Sequence, residues 1–257
     1  MNTENNSRIC KLYLQFDESN IEHAQARKIT EACIRSNDYN PALGSFIKLA
    51  EKGDRAFQHN TGVLMQCISD VRDYDGAVQW YRAAVKQNFA PAKERLAVMY
   101  EFGEGGLPVD NSAAVALYRE SADQGNMHSI YNLGMILSQG SNCVPQNLKR
   151  AEHLLLTAAT GGHALMKINL GIVYLKYFGE ADKAAFWFNL AVTQDPYVAL
   201  DLGELYLHGE ANIAADMTRA EYWLAIAAAY GYESEVNMIL GDQAPKMTTF
   251  TTPGHLH

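Results

Sequence analysis

The sequence predicts an all-α solenoid of about five stacked helix pairs, and three observations predict it. First, a Leu-small-x-apolar-aromatic motif returns about every 36 residues. It reads Thr61-Gly62-Val63-Leu64-Met65, Leu96-Ala97-Val98-Met99-Tyr100, Leu133-Gly134-Met135-Ile136-Leu137, Leu170-Gly171-Ile172-Val173-Tyr174 and Leu202-Gly203-Glu204-Leu205-Tyr206. Second, an Ala three residues before a bulky side chain keeps step with it, at Ala77/Trp80, Ala114/Leu117, Ala151/Leu154, Ala184/Trp187 and Ala220/Trp223. The bulky positions are 37, 37, 33 and 36 residues apart. Third, 48% of the 257 residues are apolar, and Ala, Leu, Met and Tyr outweigh the β-branched types, which favours helix. Self-similarity at such a period means stacked supersecondary units, not one closed core.

Each repeat parses into two short helices. The first, A, carries the Leu-small motif; the second, B, carries Ala-x-x-Trp or its equivalent. In the best run, Pro91-Ala92 opens A, Gly103-Glu104-Gly105-Gly106 stops it, and Asp110-Asn111-Ser112 caps B, which runs to Gly125. A helices are expected near 56–68, 92–102, 128–138, 164–177 and 197–208. B helices are expected near 75–88, 111–124, 147–160, 181–193 and 217–230. The small residue in A marks a close helix crossing, worth the roughly 1 kcal/mol that Gly costs inside a helix relative to Ala. The bulky residue on B is then expected to fill the space between successive repeats.

A lone B-like helix is expected near 42–52, carrying Phe46, Ala50 and Gly53. Residues 1–40 read as an N-terminal helical cap, with helix across Ile21–Arg35, ahead of an array at 41–231. Residues 232–257 read as a C-terminal cap, a helix near Glu233–Leu240 followed by a Thr/Pro/Gly-rich tail from Ala244 to His257.

The run Ala-x-x-x-Leu-Gly-x-x-Tyr, a Gly-x-Gly turn, Asp, then Lys/Arg-Ala-x-x-Trp and Ala-Ala-x-x-Gly resembles the Sel-one-like repeat family, helix-pair solenoids related to tetratricopeptide repeats. The resemblance covers about Pro41 to Gly231. It implies a right-handed superhelix whose A helices line the concave side, and a role as an adaptor or scaffold. Two departures stand out. Thr61 occupies a Leu position, and the fourth repeat is shortened around Phe178-Gly179-Glu180-Ala181.

Signatures of chemistry are sparse. Gly103–Gly106 lacks the Lys-Ser/Thr and the preceding strand of a phosphate-binding loop. None of the eight histidines forms HExxH or an i, i+4 pair with another His, and no GxSxG or catalytic cysteine signature appears. Cys10, Cys33, Cys67 and Cys143 have unrelated spacings and read as reduced, mostly buried thiols. No cofactor or metal is expected. Trp80, Trp187 and Trp223 share one repeat position and read as core wedges; Tyr100, Tyr174 and Tyr206 read as inter-helix packing.

The candidate binding surface is therefore the A-helix groove. The residue before the motif's Leu is Asn60, Arg95, Asn132, Asn169 and Asp201, a ladder able to hydrogen-bond a peptide backbone. Residues just after the motif's aromatic share that face, among them Glu101, Phe102, Gln139, Lys176 and His208. This mixture of polar and apolar groups suits a protein or peptide partner. A net charge of −8 argues against nucleic acid, which needs a basic stripe. No stretch approaches the roughly 20 apolar residues of a membrane span, and Met1–Ser7 lacks the character of a signal peptide, so a cytoplasmic, bacterial, non-catalytic interaction protein is expected. The alternatives are an immunity protein or chaperone for one toxin or effector, and a hydrolase-like enzyme acting on a cell-wall or peptide substrate.

Overall fold

The computed structural model describes residues 6, 9–10, 13–140, 143–209 and 213–241. The tail from Ala244 to His257, with His255 and His257, lies outside them. Among the described residues the chain is all-α, with no strand. Its helices are α1 (Ile21–Ser36), α2 (Asn40–Glu51), α3 (Arg55–Cys67), α4 (Tyr74–Lys86), α5 (Ala90–Phe102), α6 (Asn111–Ala122), α7 (Met127–Gln139), α8 (Leu148–Gly161), α9 (Ala164–Val173), α10 (Ala181–Gln194), α11 (Val198–His208), α12 (Met217–Ala229) and α13 (Glu233–Leu240). From α3 to α12 they alternate A, B, A, B, so every expected pair forms, and all but α9 lie within a residue or two of their expected bounds. The chain divides into two compact blocks, Met1–Leu133 and Gly134–His257.

The start of helix B is built the same way in four repeats. Asp73, Asp110, Asn147 and Asp216 are N-caps whose side-chain oxygens accept from backbone N–H groups in the first turn of α4, α6, α8 and α12. Each such cap contributes about 1 kcal/mol. The cap's own N–H donates back to helix A of its repeat. Asp73 N reaches Met65 O at 2.8 Å, Asp110 N reaches Tyr100 O at 2.9 Å, Asn147 N reaches Leu137 O at 2.8 Å and Asp216 N reaches Tyr206 O at 2.7 Å. The accepting carbonyl always belongs to the last residue of the Leu-small-x-apolar-aromatic motif. One residue thus ends the A–B turn and starts B.

The shortened fourth repeat solves the same problem differently. Helix A was expected to reach residue 177 as one helix, but α9 ends at Val173 and continues as a π-helical turn over Tyr174–Phe178. With only Gly179 and Glu180 before α10, the widened turn lets Tyr174 O accept from both Gly179 N and, at 3.2 Å, Glu180 N. Gly179 sits at φ 68, a left-handed conformation suited to glycine.

The small residue of helix A does mark a close crossing. A Cβ added to Gly62 would lie 2.6 Å from the Tyr81 ring, at Gly171 2.4 Å from Phe188, at Gly203 2.5 Å from Leu224 and at Gly134 2.8 Å from Leu155. These partners are one residue beyond the bulky position read from the sequence. Tyr81, Tyr118, Leu155, Phe188 and Leu224 are all essentially inaccessible, whereas Trp80, Leu117 and Leu154 are only half-buried. This next residue fills the A–B crossing within each repeat. The bulky position expected between repeats is buried at Trp187 and Trp223, where Trp223 meets Phe188 of the preceding repeat edge-on at 6.2 Å, and is only half-buried at Trp80, Leu117 and Leu154.

In the N-terminal block, Tyr39, Phe46, Phe57, Leu64, Ile68 and Tyr81 are fully buried and form one core with Cys10 and Leu14. Burying each large side chain stabilises by about 1.5–3 kcal/mol relative to exposure. Cys10 and Cys33 are buried free thiols, Cys67 is half-buried and Cys143 is exposed. Burial pushes the Cys10 thiol up to about 12, which makes it unreactive.

Candidate functional site

The ladder residues fall in two environments. In the N-terminal block, Asn60 and Arg95 are buried, and what covers them is the chain's own segment from Tyr13 to Asp17. This segment is not helical over residues 14–17. Asn60, on α3, takes both main-chain groups of Gln15: its Oδ1 accepts from Gln15 N at 2.7 Å, and its Nδ2 donates to Gln15 O at 2.7 Å. The next residue back, His59, donates from Nε2 to Tyr13 O at 2.9 Å. Two adjacent positions of an A helix therefore read the backbone of a segment just where it leaves a helical turn.

Side chains are placed as well as main chain. The Tyr13 ring lies under the Arg95 guanidinium of α5, 3.9 Å from carbon to centroid, and 5.3 Å from the His128 ring of α7. Leu14 is buried in the core, and Phe16 meets Phe46 and Phe57 edge-on at 6.0 and 6.2 Å.

The electrostatics follow from burial. His59 is buried with no partner on Nδ1, and burial drives its pKa down to about 3; the Tyr13 carbonyl opposes this and Arg95 adds to it. The ring is therefore neutral, with its proton on Nε2, where Tyr13 O needs it. Arg95 is buried beside Glu94, 2.8 Å from Nε to Oε2, and that carboxylate, with the nearby tyrosines, outweighs burial and keeps the guanidinium charged.

The remaining candidates are dispersed. Glu101 accepts from Tyr118 OH at 2.8 Å, just as Gln66, one repeat earlier, accepts from Tyr81 OH at 2.9 Å. These two positions tie A to B. Phe102 is 67% exposed at the end of α5. Asn132 is half-buried and Gln139 is exposed, both on α7. In the C-terminal block, Asn169 is half-buried and donates to Leu165 O of its own helix at 3.0 Å, Lys176 lies over the Tyr177 ring, and Asp201 and His208 are exposed. His59, Tyr13 and Gln15 escaped the sequence reading. A neutral buried His beside a ladder Asn leaves no periodic mark, because the other repeats carry Glu94, Tyr131, Ile168 and Leu200 there.

No group of three or more His, Cys, Asp or Glu suited to hold a metal ion occurs among the described residues. No helix among them is long and apolar enough to cross a membrane.

Comparison with known proteins agrees with this architecture. The Sel1 repeat family matches at residues 58–89, 90–126, 128–163, 167–196 and 196–232. A Sel1 repeat protein from Oxalobacter formigenes shares 27% identity and superposes with a TM-score of 0.60, covering 82% of this chain and 60% of that one. A Pseudomonas aeruginosa protein shares the fold at 18% identity and a TM-score of 0.55, covering 90% of each chain. Among curated proteins, chitin synthase regulatory factor 2 of Schizosaccharomyces pombe is 27% identical over 49% of this chain and 26% of its own length. An uncharacterized protein of Neisseria meningitidis is 29% identical over 70% of this chain and 37% of its own length. The chain thus spans roughly a quarter to two fifths of the curated relatives it matches.

Proposed function

Because the chain belongs to the Sel1 repeat family, whose repeats are generally protein-interaction modules, we propose that it is a non-catalytic adaptor that holds a protein or peptide partner on the face lined by its A helices. The observation that carries this reading is the grip of Asn60 on Gln15. A ladder side chain here already holds a non-helical backbone by both donor and acceptor, with no demand on the identity of the residue held. Asn132, Asn169 and Asp201 occupy the same register in later repeats and are half-buried or exposed. One relative bears the name of a regulatory factor, which accords with a role exerted through another protein.

The test is affinity capture of the tagged chain from its native cells, beside a variant with Asn132, Asn169 and Asp201 changed to Ala. A partner retained by the parent and lost by the variant is expected. Retention by both would move the interface off the A-helix ladder. Loss of activity toward a hydrolysable substrate from a single polar substitution, with partner binding intact, would point to catalysis instead.

A further inference from the structure

Resting on that reading of the A-helix face, we propose that the N-terminal block reads a specific kind of polypeptide. Its occupant is a segment that leaves a helical turn at an aromatic residue, is gripped by its main chain two positions later, and carries a second aromatic one position after that. The chain's own Tyr13-Leu14-Gln15-Phe16 is a built-in stand-in for that ligand. A partner segment of the same pattern binds by displacing it.

Three features separate a stand-in from a segment that only covers the end of an array. Covering an apolar end needs apolar contact, and Leu14 and Phe16 supply it. The segment's polar groups are nonetheless read one by one. Asn60 takes N–H and C=O of Gln15, and His59 takes the carbonyl of Tyr13. The aromatic slot comes from two further A helices, with Arg95 of α5 above the Tyr13 ring and His128 of α7 beside it. Three consecutive A helices thus contribute to one short segment, as they would to a bound peptide.

On its C-terminal side the segment can leave without unwinding α1, while on its N-terminal side the helical turn that ends at Tyr13, closed by Leu14 N to Cys10 O at 3.4 Å, has to open. Helix α1 begins at Ile21 and has its own N-cap, Asn20, which accepts from Glu22 N and His23 N. Beyond the groove, the stretch is also held by Asp17 N to His23 Nδ1 at 2.9 Å, the Glu18–Arg27 ion pair and the burial of Cys10 and Leu14 in the core of the block. A tethered competitor acts at an effective concentration of about millimolar, so a partner with the same contacts binds the parent weakly. Asn132, one turn beyond His128 on α7, offers such a partner a contact that the stand-in does not use.

The test uses the full chain with Tyr13→Ala and Gln15→Pro together, which remove the ring and the N–H that Asn60 accepts. The probe is a fluorescent synthetic peptide with the sequence of residues 9–19. Anisotropy should show at least tenfold tighter binding to this loosened variant than to the parent. Adding Asn60→Ala should abolish that gain. The same peptide carrying Gln15→Ala should bind as well as the original, because only main chain is read there, and one carrying Gln15→Pro should not. Equal binding to parent and variant, or none to a variant with parental helix content, would overturn the proposal. Should the variant lose its helix content, hydrogen exchange of the parent decides instead: millimolar peptide must speed exchange at the Gln15 amide, and no change refutes displacement. A partner released by changing Asn132, Asn169 and Asp201, together with no peptide binding, removes the stand-in but keeps the A-helix face. A partner indifferent to those changes sinks the wider reading whatever the peptide does.

Discussion

Asn60 and Gln15 are joined by a pair of 2.7 Å hydrogen bonds, one in each direction, across 45 residues of sequence. A side-chain amide matched to a peptide unit satisfies a donor and an acceptor at once, and Asn60 is fully buried while doing so. Burial makes the match consequential, because a buried peptide group without a partner bears its whole desolvation penalty. The same side chain is therefore one of the contacts that hold residues 13–17 on α3, beside His59 and the apolar seats of Leu14 and Phe16.

Changing Asn60 to Ala should cost about 1–3 kcal/mol, the penalty of leaving the Gln15 groups unpaired. The loss should be local. Hydrogen exchange at Gln15 and proteolytic cleavage near residues 13–18 should both accelerate, while amides of α10 and α12 exchange as before. Parental protection at Gln15 in this variant would show that apolar contacts alone hold the segment.

His59 gives the N-terminal block a dependence on acid. Burial lowers its pKa to about 3, while an unfolded histidine titrates near 6.5. The unfolded state therefore takes up the proton first. Stability is intact above about pH 6.5 and declines as the pH falls toward 3. Between pH 7.5 and 5 the chain should lose about 2 kcal/mol that a His59→Gln variant retains, since Gln can still donate to Tyr13 O but does not titrate. Exchange of α3 amides, measured at both pH values in both proteins, reads the difference. An equal acid sensitivity in the two would mean His59 is not neutral in the fold.

The fold was legible in the sequence because the features that write it are periodic. Asp or Asn at 73, 110, 147 and 216 and small residues at 62, 97, 134, 171 and 203 repeat in step; the caps do one mechanical job in four repeats, and the glycines at 62, 134, 171 and 203 do another. Two things were less legible. The residue that fills the A–B crossing within a repeat was hidden beside the conspicuous Trp80, Trp187 and Trp223, because that position alternates among Tyr, Leu and Phe. The occupant of the first ladder position was invisible because Tyr13–Phe16 belongs to no repeat, and its pairing with Asn60 spans 45 residues.

Uneven burial at the tryptophan position has an energetic consequence. Trp187 is 8% exposed and touches Phe186 edge-on, so Trp187→Ala should cost about 3–5 kcal/mol. Trp80 occupies the same repeat position but is half-buried, and Trp80→Ala should cost only about 1–2 kcal/mol. Urea unfolding of the two variants compares them directly. Equal costs would mean that repeat position, not local burial, sets the contribution.

The closest test of the helix crossing is the pair Gly171 and Phe188. A Cβ at position 171 would sit 2.4 Å from the Phe188 ring, which is itself fully buried and cannot swing aside. Gly171→Val should therefore destabilise by about 1–3 kcal/mol despite replacing a poor helix former. Phe188→Ala alone should cost about 3–5 kcal/mol by opening a cavity. In the double variant the valine enters space that the ring has vacated, so the two losses should fall short of their sum by about 0.5–3 kcal/mol. Strict additivity in such a cycle would show that Gly171 is required for its backbone and not for the approach of α10 to α9.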